Sequence, residues 1–174
     1  IGRTMARMGE ALASMEVSIQ LEVPDGLPEV QCRSGGLSRA LAKLIQNAID
    51  AAAVSSRQPE AGAFLRVRAE QAVGPVGDVV HFIVENSGET IAPETLARAF
   101  DPFFTTRSRD RHAGLGLTVA LGLAREHLGD LSLESSEDGL TRATLSAPVS
   151  SPGVEYCPQV LRDAEAERWP KHRL

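Results

Sequence analysis

Aromatic side chains are scarce in this chain of 174 residues, which has five phenylalanines, one tyrosine and one tryptophan. Cysteine is scarcer still. Cys32 and Cys157 lie far apart, neither beside a second ligand residue, so reduced thiols of a cytoplasmic protein are favoured over a disulfide or metal site. No apolar run approaches the ~18 residues a membrane span needs, so no part of this fragment is expected to cross a bilayer. No basic stretch dominates, and a net charge of -5 argues against nucleic acid as a main partner. The chain begins at Ile1 with no leader-like segment, and is expected to be part of a longer protein. Its 43% hydrophobic and 24% charged residues suit one soluble domain with a substantial core.

Periodicity divides the chain. Residues 3–14, with Met5, Met8 and Leu12 at helical spacing, read as a helix or the end of a preceding element. Val17, Ile19, Leu21 and Val23 alternate as in a half-buried strand, and Pro24-Asp25-Gly26 ends it. Ser34 is a candidate N-cap for a helix running to about Ser55, with Leu37, Leu41, Leu44, Ile45, Ala48 and Ile49 on its inward face. Phe64–Val73 and Val79–Val84 form a predicted hairpin around Gly74–Asp78. A polar turn follows, then a short helix from Pro93, whose fixed φ suits a first helical turn. Asp130–Ser136 and Leu140–Ala147 form a second predicted hairpin around Glu137-Asp138-Gly139. This order predicts an α/β, two-layer sandwich: a mixed sheet with helices on one face. Residues 15–149 are the expected domain. Residues 150–174, opening on Ser150-Ser151-Pro152-Gly153, read as a linker and an appendage with one amphipathic fragment, Val160–Trp169.

Three patches carry chemistry. The first is Leu44-Ile45-Gln46-Asn47-Ala48-Ile49-Asp50-Ala51. Asn47 is polar in the most apolar part of its helix. Taken alone it reads first as a core asparagine capping a loop, and second as an amide oxygen for a hard cation such as Mg²⁺, which takes one or two protein oxygens plus phosphates. The second patch, Val84–Ile91, reads as a polar turn off a strand. The third runs from Ala99 to Leu128 and holds three of the five phenylalanines, Phe100, Phe103 and Phe104. Arg107 to Gly114 then carries three arginines and no large apolar side chain, so this loop is expected to be mobile. Gly114-Leu115-Gly116-Leu117 opens a helix, whose bare N-terminal amides suit an anion. The loop thus reads as a lid over a phosphate.

In this order the patches resemble the ATP-binding catalytic domain of sensor histidine kinases, in the superfamily that includes DNA gyrase, the MutL proteins and the large heat-shock chaperones. LIQNAIDAA is similar to the asparagine box, IVENSGETI to the first glycine box, DPFFTTR to the phenylalanine box and AGLGLTVA to the second glycine box. The resemblance covers roughly residues 15–148 and implies ATP and Mg²⁺ as cofactors. It implies that Asn47 holds the metal, that Lys43 one turn earlier faces the same cleft, and that Asp50 also lies at the nucleotide. Asn86 stands where the family has an aspartate that accepts from the adenine amino group. Gly88 lets the base approach, with Ile91 beside it. Phe103 and Phe104 anchor the lid root, Thr106 and Arg107 lie near the phosphates, and Gly114, Leu115, Gly116 and Leu117 surround the β- and γ-phosphates.

The chain departs from the family pattern in places. Asn86 keeps an acceptor oxygen but loses charge, so adenine binding is expected to be weaker by ~1 kcal/mol. Ser87, Glu89 and Thr90 replace the usual asparagine, proline and second glycine, and Thr90 is expected to narrow the pocket. His112 and Ala113 replace a glycine and a small hydroxyl residue.

The implied reaction is transfer of the γ-phosphoryl group to a histidine on a separate dimerisation hairpin, and thence to a response regulator. Such an acceptor is usually followed by an acidic residue. The four histidines here precede Phe82, Ala113, Leu128 and Arg173, so the acceptor is expected outside this chain. His127 is expected to be structural, at a helix C-terminus. Competing readings are a hydrolase of the gyrase or MutL kind, an anti-sigma-type serine kinase, and a scaffold that has lost ATP. Lys43 stands where the hydrolases have their general-base glutamate, and a protonated lysine cannot serve as a base.

Overall fold

The computed structural model describes residues 17–30, 35–55, 62–75, 77–107 and 113–149. The expected helix at 3–14, the Ser34 cap, both cysteines, residues 108–112 of the charged loop and the 150–174 appendage lie outside the described residues.

The described elements are β1 (Ser18–Glu22), α1 (Gly36–Ser55), β2 (Phe64–Gly74), β3 (Gly77–Ser87), α2 (Pro93–Leu96), α3 (Gly116–Glu126), β4 (Asp130–Ser135) and β5 (Leu140–Pro148). The strands form one sheet in the order β1-β2-β3-β5-β4. β1 runs parallel to β2, which requires a crossover, and α1 supplies it. The other neighbours are antiparallel and include two hairpins. The sheet is mixed, as its sequence order implied.

Register explains where the core stops. On the helix-facing side, Val67, Val84, Ala143 and Leu133 form one row, and Ala69, Phe82, Leu145 and Leu131 the next. All six α1 residues that periodicity turns inward are buried, and Leu117, Ala120, Leu121 and Ala124 of α3 pack against the same cluster. Side chains such as Leu44 and Ile45, fully enclosed, each contribute about 1.5–3 kcal/mol. One row further along, Leu65 is followed by Asn86, Thr141 and Ser135. The apolar floor ends in a polar rung there.

The opposite face carries a polar row across all five strands, Gln20, Arg66, Glu85, Arg142 and Glu134, charged on four of them. Glu85 is 3% exposed. It accepts from Arg142 Nε at 2.7 Å and from Arg66 NH1 at 3.4 Å, with Arg68 Nε 3.9 Å away. Its carboxylate, through their hydrogen bond and then its charge, pushes the Arg142 guanidinium above its usual range. β3 is longer at both ends than the expected Val79–Val84, because its polar residues have cross-strand partners that alternation alone does not reveal.

α1 and α3 pack side by side. The ring of His127, at the C-cap of α3, lies against Gly36 at the start of α1, where a Cβ would overlap the Cε1 edge of the ring. The helices are therefore antiparallel. Asn47 lies 11 residues beyond Gly36 and Gly116 lies 11 before His127. At 1.5 Å per residue, both sit about 16 Å from that contact, at one level of the helix pair.

Candidate functional site

The site is built where the polar rung, the second half of α1 and the start of α3 meet. Asn47 is half-buried, and its side-chain amide makes no hydrogen bond to a described residue. No fully buried side-chain atom among the described residues is unpaired, so the atoms of this amide reach solvent and are open to a ligand. Among the described residues no group of three or more histidines, cysteines or carboxylates is placed to hold a metal. A single amide oxygen fits Mg²⁺ only in company with phosphate oxygens. Lys43, one turn earlier, is exposed.

Asn86 sits on the polar rung, 3% exposed. Its Nδ2 donates to Ser87 O at 2.9 Å. No described side-chain atom is both fully buried and unpaired, so Oδ1 keeps contact with solvent as a free acceptor. Gly88 lies between Asn86 and α1: a Cβ there would be 3.4 Å from Asn86 Nδ2 and 3.7 Å from Ala51 Cβ. This brings the glycine turn onto the helix face that carries Asn47, one turn before Ala51.

That turn is propped by the β4–β5 hairpin, a support with no signal in the sequence. Gly88 N donates to Gly139 O at 2.9 Å, and a Cβ on Gly139 would overlap the Gly88 carbonyl. Thr90 turns its hydroxyl onto the hairpin, donating to Glu137 O at 3.0 Å, and Ile91 N donates to Ser135 Oγ at 3.0 Å.

The root of the charged loop is a second closure. Phe103 N donates to Gly114 O at 3.0 Å. Phe103 has φ 65 and its ring is 70% exposed, so its backbone rather than its side chain makes the anchor. Phe104 is half-buried with the Arg98 guanidinium 4.4 Å over its ring, and Thr118 Oγ1 donates to Phe100 O at 3.0 Å. Gly114 has φ 67, and a Cβ on it would be 2.6 Å from Phe103 C. It cannot be the first helical residue, and α3 starts two positions later. A Cβ on Gly116, by contrast, would meet nothing within 4 Å. The space on the side-chain side of Gly116, at this helix start, is therefore open. Leu115 caps the helix, while Leu117 is partly buried against the core.

Thr106 is exposed, and Arg107 crosses to α1. Its NH1 lies 3.1 Å from Asp50 Oδ2 and its NH2 donates to Asn47 O at 3.2 Å. The loop root, tied to Gly114 through Phe103, is thereby also joined to the Asn47 turn of α1.

Comparison with known proteins gives the family and the fold neighbours of the chain. Residues 32–151 match the family described as histidine kinase-, DNA gyrase B-, and HSP90-like ATPase. The two-component sensor PprA of Pseudomonas aeruginosa is 30% identical over 153 residues, which are 84% of this chain and 16% of that protein. Sensor histidine kinase ZraS of Escherichia coli is 28% identical, over 86% of this chain and 30% of its own length. This chain thus spans under a third of these relatives. The catalytic domain of histidine kinase ThkA superposes with a TM-score of 0.69 at 23% identity, over 84% of this chain and 88% of that one. Full-length ShkA in complex with AMPPNP gives 0.70 at 21% identity, over 90% and 30%. The chain belongs to the histidine kinase-, DNA gyrase B-, and HSP90-like ATPase family, and within it is similar to the ATP-binding catalytic domains of sensor histidine kinases.

Proposed function

We propose that residues 15–149 bind Mg·ATP and donate its γ-phosphoryl group to a histidine on a separate helical hairpin, as the catalytic domain of a two-component sensor kinase. The observation that carries this reading is the half-buried Asn47 amide, without a protein partner, at the level of the open α3 start. In the reaction a nitrogen of the acceptor imidazole forms a bond to the γ-phosphorus, the bond to the β–γ bridging oxygen breaks, and ADP departs. There is little covalent chemistry for protein to perform, so catalysis is positioning and charge neutralisation. Asn47 Oδ1, together with phosphate oxygens, would hold Mg²⁺, which would supply charge neutralisation at the phosphates. The amides at Leu115 and Gly116 hold phosphate oxygens, Lys43 and Arg107 add positive charge, and Asn86 Oδ1 accepts from the adenine amino group.

Lys43 weighs against a hydrolase, because an exposed lysine stands where such enzymes would carry a general-base glutamate. The further partners are the dimerisation and phosphotransfer hairpin and a response regulator, and the compartment is the cytoplasm, where ATP is supplied. No helix among the described residues is long and apolar enough to cross a membrane. The test is calorimetric titration of the 174-residue chain with AMPPNP, with and without Mg²⁺. Binding should require Mg²⁺, and Asn47→Ala should abolish it. Unchanged affinity in that variant removes the metal role.

A further inference from the structure

A carboxylate beside a triphosphate has the wrong sign. Asp50 follows Asn47 by three residues on α1, a spacing that makes the two neighbours on one helix face. Bare, it would repel the phosphates that Asn47 helps to hold. The structure supplies a cation for it. Arg107 crosses from the loop root to place NH1 3.1 Å from Asp50 Oδ2.

We propose that Asp50 is a positioning residue, which holds the Arg107 guanidinium against Asn47 so that it meets the γ-phosphate. The inference rests on the nucleotide reading above and adds a role for this carboxylate.

Three features make the pair more than a surface contact. Both side chains are about three-quarters enclosed, at 28% and 25% exposed, so water screens them less than an open ion pair. The carboxylate is oriented from its other side, because Gln46 Nε2 donates to Oδ1 at 2.8 Å. The guanidinium is fixed at a second point by its bond to Asn47 O, and the Arg107 backbone by its bond to Thr105 Oγ1 at 3.1 Å. Of the five N–H donors of a guanidinium, these bonds to α1 use two and leave the rest for phosphate oxygens. Arg107 is thus pre-placed beside the carbonyl of the metal-binding residue, and the freedom of a long side chain is lost on folding, not on binding.

The alternative is that the pair merely ties the loop root to α1. The two roles differ in which phosphate they affect. A tie supports ADP and ATP alike. A guanidinium aimed at the γ-phosphate distinguishes them.

The experiment is titration of the 174-residue chain with Mg·ADP and with Mg·AMPPNP. The variants are Asp50→Asn, Asp50→Glu, Arg107→Gln and the double variant Asp50→Asn/Arg107→Gln. Asp50→Asn should weaken AMPPNP binding by about fivefold or more and leave ADP within about twofold, the size expected for a lost charge-assisted hydrogen bond. Asp50→Glu should recover most of the loss. Arg107→Gln alone should be worse for AMPPNP than the double variant, because it removes the guanidinium but keeps the Asp50 charge beside the phosphates. Equal weakening of both nucleotides by Asp50→Asn, or no change in either, overturns the proposal and leaves the nucleotide reading standing. A wild-type chain that binds neither nucleotide removes both.

Discussion

The amide of Phe103 donates to the carbonyl of Gly114 at 3.0 Å, so the chain enters and leaves the charged loop at one closed neck. The neck stands directly before α3, and its far strand continues into Leu115 and Gly116. The two glycines of the GLG run do different work here: Gly114 lets backbone meet backbone, whereas Gly116 borders open space.

These roles separate in a pair of substitutions. Gly114→Ala puts a side chain at φ 67 and a Cβ 2.6 Å from Phe103 C. The backbone strain alone is ~1–2 kcal/mol, and the thermal midpoint should fall by roughly 5 °C. Gly116→Ala should leave the midpoint unchanged or slightly raised, since alanine is the better helix former by up to ~1 kcal/mol, while weakening nucleotide binding. Melting curves and titrations of both variants check this. A stable, tight-binding Gly114→Ala would show that the neck opens without cost.

Much of this arrangement was legible in the sequence, and the gaps have one physical origin. Alternation exposed the strands, and 3.6-residue periodicity exposed α1 with its buried face, because those patterns are imposed by burial. Glu85, Asn86 and Ser87 read as a turn but extend β3. Their polarity comes from the polar rung on one face and an ion-paired row on the other, which local pattern cannot distinguish from exposure. Asp50 and Arg107 carry no mark of each other, being far apart in the chain and joined only by the packing of the loop root on α1. The same is true of Gly139 and Gly88.

Asn86 offers a test in which stability and affinity should move in opposite directions. Asn86→Asp removes the Nδ2 donor from Ser87 O at a buried position, which should cost about 1–3 kcal/mol. It also turns a charged oxygen toward the adenine amino group, which should tighten ADP binding by about fivefold, or ~1 kcal/mol. Chemical denaturation and titration on one sample set decide it. If both quantities fall together, Asn86 does not face the base.

The row on the outer face predicts non-additivity. Arg142→Ala leaves Glu85 with Arg66 at 3.4 Å and Arg68 at 3.9 Å, and Arg66→Ala leaves it with Arg142. Each single loss should cost about 1 kcal/mol or less, because these arginines are partly exposed. Removing both strands most of a buried charge, so the double variant should exceed the sum of the singles by about 1 kcal/mol or more. Arg142 is held above its ordinary range by Glu85. A raised folded-state pKa contributes fully below the unfolded value and is lost only as pH climbs through the folded one. Between about pH 7 and 10 its share of stability should therefore stay constant. Urea midpoints of the four-variant cycle at two pH values in that window check both statements.

The last test concerns the contact that sets α1 against α3. Gly36 admits the His127 ring, which is 5% exposed and whose Nδ1 donates to Leu123 O at 2.6 Å. Gly36→Ala drives a Cβ into that ring and should cost about 1–3 kcal/mol by overpacking. Adding His127→Ala removes the obstruction, so the double variant should be less destabilised than the two singles combined. The same contact fixes how far Asn47 stands from Gly116 along the helix pair. Gly36→Ala should therefore also weaken Mg·AMPPNP binding, at a distance of about 16 Å from the substitution. Lost stability with undiminished nucleotide affinity would mean that the Asp50–Arg107 bridge, rather than the glycine–histidine contact, holds the two helices in step.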